Sequence, residues 1–99
     1  MPDNFSGTYN ISKHITTRFI GDEAFLMNLE NLKTYYLNET AAQVWSLIGE
    51  SKSFDGIVNS LMENYEISRA DCMSDVTQLI GLFMSEHLID IAEKNVRAT

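Results

Sequence analysis

The sequence predicts an α+β fold: a three-stranded antiparallel sheet followed by a three-helix bundle, in a winged-helix-like arrangement. Two observations carry this expectation. As far as Leu37, short runs of β-branched, aromatic and aliphatic residues alternate with polar ones between turn signals, the period of two that strands require. From Glu39 onward, apolar positions recur every three or four residues, and each such stretch follows an Asn or Ser suited to capping a helix.

Residues 1–8, Met-Pro-Asp-Asn-Phe-Ser-Gly-Thr, read as a flexible N-terminal tail, 9–92 as the folded domain and 93–99 as a flexible C-terminal tail. Tyr9 to Ile20 reads as one strand, with Ile15, Thr17 and Phe19 on one face. Gly21-Asp22 is a turn signal, and Phe25, Met27 and Leu29 then alternate with Leu26 and Asn28 as a second strand. Glu30-Asn31-Leu32 forms a short link. In the third strand, Lys33 to Leu37, Tyr35 and Leu37 share one face and Tyr36 points to the other.

Asn38 can accept from the free N–H groups of a helix running from Glu39 to Ile48, with Ala41, Val44, Trp45 and Ile48 at helical spacing and Gly49 just past its end. A second helix begins after Ser53, its apolar stripe being Phe54, Ile57, Val58, Leu61, Met62 and Tyr65. Gly56 inside it costs about 1 kcal/mol relative to Ala, which implies a packing reason. Ser68 starts the third helix, with Asp71 completing an acidic capping box. Cys72, Val76, Leu79, Ile80, Phe83 and His87 line one side of it, and Leu88 to Ile91 read as a short closing strand.

At 99 residues, 44% hydrophobic and 21% charged, the chain has the composition of one small globular domain. It shows no secretory signal and no apolar run approaching the roughly 20 residues of a membrane span. A single cysteine, Cys72, excludes an internal disulfide, so a cytoplasmic location is expected. The net charge of −7, with seven Lys and Arg, favours a basic or amphipathic partner over nucleic acid or an anionic membrane.

The inventory for catalysis is thin. His14 falls on a strand and His87 at a helix end, where the macrodipole favours it, and neither adjoins a carboxylate pair or a cysteine. Cys72, on the apolar side of its helix, reads as a small buried hydrophobe. One Cys and two scattered His cannot form a four-ligand zinc site. The five glycines stand singly, so there is no phosphate-binding loop, and the fourteen carboxylates are dispersed. Methionines 27, 62, 73 and 84 read as core filler. The expectation is a protein that is not an enzyme, with no metal and no cofactor.

Two residues point elsewhere. Tyr36 projects away from the face of Leu37, and Leu82 falls in line with Asp75, Gln78 and Glu86, bordered by Leu79 and Phe83. A slightly wide apolar arc accounts for Leu82. So does a groove between the third strand and the third helix, apolar at its floor and acidic along its rim, into which an extended peptide could add as a strand.

Read in order, Tyr-Leu-Asn-Glu-Thr-Ala-Ala, Val-Trp-Ser-Leu-Ile-Gly, Ser-Phe-Asp-Gly-Ile-Val-x-x-Leu, Tyr-x-Ile-Ser, Asp-Val-x-x-Leu-Ile-x-x-Phe and a closing Leu-Ile resemble the PqqD family. Its members are named for pyrroloquinoline quinone biosynthesis and are also called RiPP recognition elements. The resemblance extends over about Ile15 to Ile91. It implies a winged-helix-like fold without catalytic machinery that binds the leader segment of a ribosomally made precursor peptide. The leader would be presented to a modifying enzyme, commonly a radical S-adenosylmethionine enzyme.

Carried onto this chain, the resemblance makes Lys33, Thr34, Tyr35 and Tyr36 the strand edge, and Asp75, Gln78, Leu79, Leu82 and Phe83 the helix wall. The pieces Leu29-Glu30-Asn31-Leu32 and Ile48-Gly49-Glu50 stand where quinone-pathway members tend to have Pro-Glu-Gly and Cys-Asp-Gly. The product is thus open between the quinone and another ribosomal peptide. An open third strand could also pair with its own copy, so a monomer or a weak homodimer is expected. Two alternatives belong to other classes: a winged-helix regulator reading DNA with its third helix, and a structural subunit stabilising an enzyme. Against the first, Ser68 to Asp90 carries Arg69 but also Asp71, Asp75, Glu86 and Asp90.

Overall fold

Asn38, Ser53 and Ser68 cap the three helices in the computed structural model, which describes residues 7–92. Each offers its side-chain oxygen to the N–H three residues on: Asn38 to Ala41 at 3.0 Å, Ser53 to Gly56 at 3.2 Å and Ser68 to Asp71 at 3.1 Å. The helices are α1 (Glu39–Gly49), α2 (Phe54–Asn64) and α3 (Arg69–Ser85). The strands are β1 (Tyr9–Ile11), β2 (Ile15–Ile20), β3 (Glu23–Asn28), β4 (Thr34–Leu37) and β5 (Ile89–Ile91). β2, β3 and β4 form the expected three-stranded antiparallel sheet in that order; α1 packs on one of its faces against β3 and β4, α3 meets β4 through Glu86, and α2 packs on α1 and α3.

The first strand expected from Tyr9 to Ile20 is in fact two strands in two sheets. The Ser12 N–H donates to Leu88 O at 2.9 Å, its hydroxyl donates to His87 O at 2.9 Å, and the Ile15 N–H turns back to Ser12 O at 3.1 Å. These bonds break the strand at 12–14. β1 then pairs antiparallel with β5, Tyr9 opposite Ile91, so the closing strand has a partner from the start of the chain. His14 lies in the break and not on a strand, its Nε2 3.7 Å from Glu30 Oε1. Of the expected flexible ends, 1–8 and 93–99, all but Gly7 and Thr8 lie outside the described residues; Thr8 O accepts from the Ala92 N–H at 2.8 Å.

Both long-range helix ends use a left-handed residue that is not glycine. Ser51 has φ 65°, its N–H bonding Ile48 O and that of Lys52 bonding Leu47 O; His87 has φ 61°, with His87 to Met84 O and Leu88 to Phe83 O. This is the six-to-one, five-to-two pattern that satisfies the last carbonyls of a helix. Gly49 is therefore the last residue of α1, and His87 lies beyond α3, exposed, instead of on its apolar side.

Trp45 occupies the centre of the core. Its Nε1–H donates to Thr17 Oγ1 at 3.0 Å, and its ring meets Phe83 edge-on at 5.2 Å between centroids. Cys72 is buried, and burial pushes its thiol pKa up, as befits a small hydrophobe. The methionines depart from expectation: Met62 packs on the core, but Met27, Met73 and Met84 are exposed. Gly56 has no packing reason either, because an added Cβ would meet Lys52 and Ser53 only at 3.5–3.6 Å. Among the described residues no helix is long and apolar enough to cross a membrane.

Candidate functional site

β2 and β4 are the two margins of the sheet; β4 is the one beside α3, and the turn that delivers it is tightly built. Asn28, buried, accepts at Oδ1 from the N–H groups of Glu30 (2.8 Å) and Asn31 (3.3 Å), while its own N–H donates to Lys33 O at 2.9 Å. That last bond fixes the phase of the ladder. In an antiparallel pair the backbone groups of alternate residues face the partner. Since Lys33 faces β3, Tyr35 and Leu37 do so too, and the N–H and C=O groups of Thr34 and Tyr36 point away from the sheet. Among the described residues no strand pairs with that edge.

Beside the edge runs a groove of about 250 Å³, walled by Tyr35, Leu37 and Lys33 from the strand and by Leu82, Phe83 and Glu86 from α3. Tyr36 and Leu88 complete its lining. Leu37 and Phe83 are buried and form the floor, whereas Leu82 is 55% exposed on the wall. Of the expected apolar floor beside an acidic rim, this place has the apolar floor and one carboxylate, Glu86, which is paired with Lys33.

Glu86 closes one end of the groove. Its Oε1 accepts from Lys33 Nζ and from the Tyr35 hydroxyl, each at 3.1 Å, tying α3 to β4. The hydrogen bond from Lys33, then that from Tyr35, holds the Glu86 carboxyl below the usual carboxylate range. The same bond to Glu86 raises Lys33, and Tyr35 is raised by burial first and by Glu86 second. Tyr36 borders the groove at the strand edge but sends its ring to the opposite face, where its hydroxyl donates to Glu23 Oε2 at 2.9 Å, the bond that raises its pKa most.

Of the nine residues expected from the sequence, the groove brings together Lys33, Tyr35, Tyr36, Leu82 and Phe83. Thr34 contributes its outward backbone, while its side chain lines a hollow on the other face of the sheet. Leu79 is half-buried against the core and Gln78 is exposed, its Nε2 3.5 Å from Ser74 Oγ. Asp75 borders a separate hollow of about 230 Å³ with Tyr65, Ile67 and Cys72, near the start of α3. Leu37, Glu86 and Leu88 belong to the groove and were missed. Leu37 continues the Lys33, Tyr35 alternation, and Glu86 follows Leu82 by one helical turn, so both carried a signal. Among the described residues no group of three or more His, Cys, Asp or Glu is placed to hold a metal.

This geometry can accept an extended chain: two outward N–H and C=O pairs, an apolar floor and one charged clasp. A family model described as Coenzyme PQQ synthesis protein D (PqqD) matches residues 23–89. Among solved structures, the fold resembles "TbiB1 in Complex with the TbiA(beta) Leader Peptide", with a TM-score of 0.78 and 23% identity over 89% of this chain and 99% of that one. It also resembles "Lasso peptide synthetase B1 complexed with the leader peptide", with a TM-score of 0.77 and 18% identity over 83% and 96% of the two chains. At such identities the likeness concerns the fold. No curated protein matches the sequence.

Proposed function

The chain belongs to the PqqD family, and from that premise we propose that it binds the leader segment of a ribosomally made precursor peptide by strand addition and presents it to a modifying enzyme. It is a binding module and not itself a catalyst. The observation that carries this reading is the juxtaposition at β4: the unpaired backbone of Thr34 and Tyr36 lies beside an apolar groove walled by Leu82 of α3. Backbone pairing supplies affinity without regard to sequence, and every second side chain of the added strand enters the groove and supplies selectivity. The binding residues are the strand edge Lys33, Thr34, Tyr35 and Tyr36, with Leu79, Leu82 and Phe83 on the helix; Gln78 extends the wall toward the start of α3, whereas Asp75 borders the separate hollow by Tyr65.

The leader complexes of the two structural neighbours support the partner class. One of them is named for lasso peptide synthesis and the family for coenzyme PQQ, so the product is PQQ or another ribosomal peptide. The enzyme partner is of the radical S-adenosylmethionine type that serves many members. The encounter takes place in the cytoplasm, where precursors are translated, and involves a monomer or weak homodimer.

The test is an amide NMR titration of the protein with the synthetic leader of the precursor encoded beside its gene. Signals of Lys33–Leu37 and of Leu79–Leu88 are expected to move. Shifts confined to α2 and the outer strand β2 would refute the site, and no binding of an isolated leader would favour a purely structural subunit. A DNA-reading role is disfavoured by α3, where Asp71, Asp75 and the following Glu86 outnumber Arg69.

A further inference from the structure

β3 turns its more apolar side to solvent. Ala24, Leu26 and Asn28 face the helices, and Phe25, Met27 and Leu29 face outward, 42%, 37% and 54% exposed. Leu29 keeps the same phase although it follows the strand, because its N–H still bonds His14 O at 2.8 Å in the β2 register. The Phe25 ring packs on Tyr36 of β4, 5.4 Å between centroids. Next to them lies a hollow of about 550 Å³ bordered by Thr16, Arg18, Met27 and Thr34. An antiparallel sheet with one wet face ordinarily carries polar residues there. A contiguous apolar row in that position marks an interaction surface.

What covers it follows from strand addition, on which this inference rests. A leader strand paired with Thr34 and Tyr36 directs alternate side chains to the two faces of the widened sheet. One set enters the groove against α3. The other set emerges on the outer face beside Tyr36, out of reach of every helix. We propose that the outer face of the sheet, Phe25, Met27, Leu29 and Tyr36, together with those outward leader side chains, is the docking surface for the enzyme that modifies the precursor.

Size and charge select this occupant. The bare three-stranded face measures about 20 Å by 14 Å, far short of the roughly 800 Å² per partner of a standard interface. A fourth, leader-derived strand enlarges it, so the enzyme gains most from the loaded module. The net charge of −7 opposes a second copy of the chain, and Arg18 opposite Phe25 with Glu23 at the Tyr36 hydroxyl gives the face a charge of each sign, which suits a partner with an apolar centre and a mixed polar rim. Loading and docking are then coupled, and the coupling is reciprocal: enzyme tightens leader by the factor that leader tightens enzyme.

The experiment uses the full chain, the labelled precursor and the purified enzyme that converts that precursor in its presence. Met27→Lys and Leu29→Lys are expected to leave the leader Kd within twofold of wild type while lowering enzyme affinity and precursor conversion, read by mass shift, at least tenfold. Leu29→Lys alone, outside the strand, repeats the measurement with the sheet unaltered. On the leader, alanine at groove-facing positions should weaken the binary complex, and alanine at the intervening positions only the ternary one. Conversion at the wild-type rate by both lysine variants, with leader still bound, overturns the docking surface. So does sedimentation showing a wild-type dimer that these substitutions dissociate. Failure of the wild-type protein to bind leader at all would instead sink the underlying function.

Discussion

Helices α1 and α3 spend their residues differently. α1 has 11 residues and buries Ala41, Ala42, Val44, Trp45, Leu47 and Ile48; α3 has 17 and buries only Cys72, Val76, Ile80 and Phe83. The shorter helix is almost all core. The longer one holds its place with a narrow stripe, a satisfied end at each terminus and the Glu86 clasp to β4, which leaves Asp75, Gln78 and Leu82 outside the core. Such a surplus of ordered surface, set beside an unpaired strand, is what a binding wall requires.

The sharpest way to break this contrast is at Trp45. Trp45→Ala removes the ring that meets Phe83 and leaves the Thr17 hydroxyl without its partner. A loss of about 3–5 kcal/mol is expected, a large part of the total for a domain of this size. Urea unfolding measures it. A loss no greater than that of an exposed α3 substitution would show that the core is not centred on α1.

Leu82→Glu should behave oppositely. Leu82 is 55% exposed, so the urea midpoint is expected to stay near that of wild type. Leader binding, followed by fluorescence anisotropy, should weaken tenfold or more, about 1.4 kcal/mol, because a carboxylate would sit against Leu37 and Phe83. An unchanged Kd would remove α3 from the site.

The same contrast explains what the sequence made legible. Caps and stripes are local, and Asn38, Ser53 and Ser68 with the apolar spacing of α1 and α2 placed all three helices. The two faces of β4 were legible because Tyr35 and Leu37 alternate with Tyr36. Three features depend on distant partners and were not. Ser12-Lys13-His14 contains no glycine or proline, and only the carbonyls of His87 and Leu88 reveal that the strand breaks there. Alternation along β3 marks two faces without saying which one meets the helices, and the more apolar face proved to be the wet one. Asp75 lies on the same helical line as Leu82, yet two turns of α3 carry it past the end of β4 to the hollow near Tyr65.

A smaller effect tests whether the wet side of α3 is inert away from the groove. Gly81 lies mid-helix, and a Cβ built on it meets nothing within 4 Å. Gly81→Ala is expected to stabilise the domain by about 0.5–1 kcal/mol through helix propensity, with leader affinity unchanged. Destabilisation, or a weaker complex, would mean that the bound peptide or its enzyme approaches that side of the helix.

The smallest expected effect concerns the clasp from Glu86 to Lys33 and Tyr35, the point at which α3 is tied to the sheet margin. The Glu86 carboxyl is lowered by the Lys33 hydrogen bond first and by Tyr35 second. Its contribution to stability is therefore complete above the ordinary carboxylate pKa and fades as pH falls through the lowered value. Lys33 is raised, chiefly by the same bond, so its share is complete below the ordinary lysine pKa and fades as pH rises through the raised one. The stability difference between wild type and Glu86→Gln should form a shallow plateau across neutral pH, narrowing at both ends. It should also shrink in high salt, since exposed ion pairs are weak and screened. Urea midpoints taken from pH 3 to 11 read it directly. A difference that persists undiminished at pH 3 would show a clasp held by hydrogen bonding alone, leaving charge no part in seating α3 against β4.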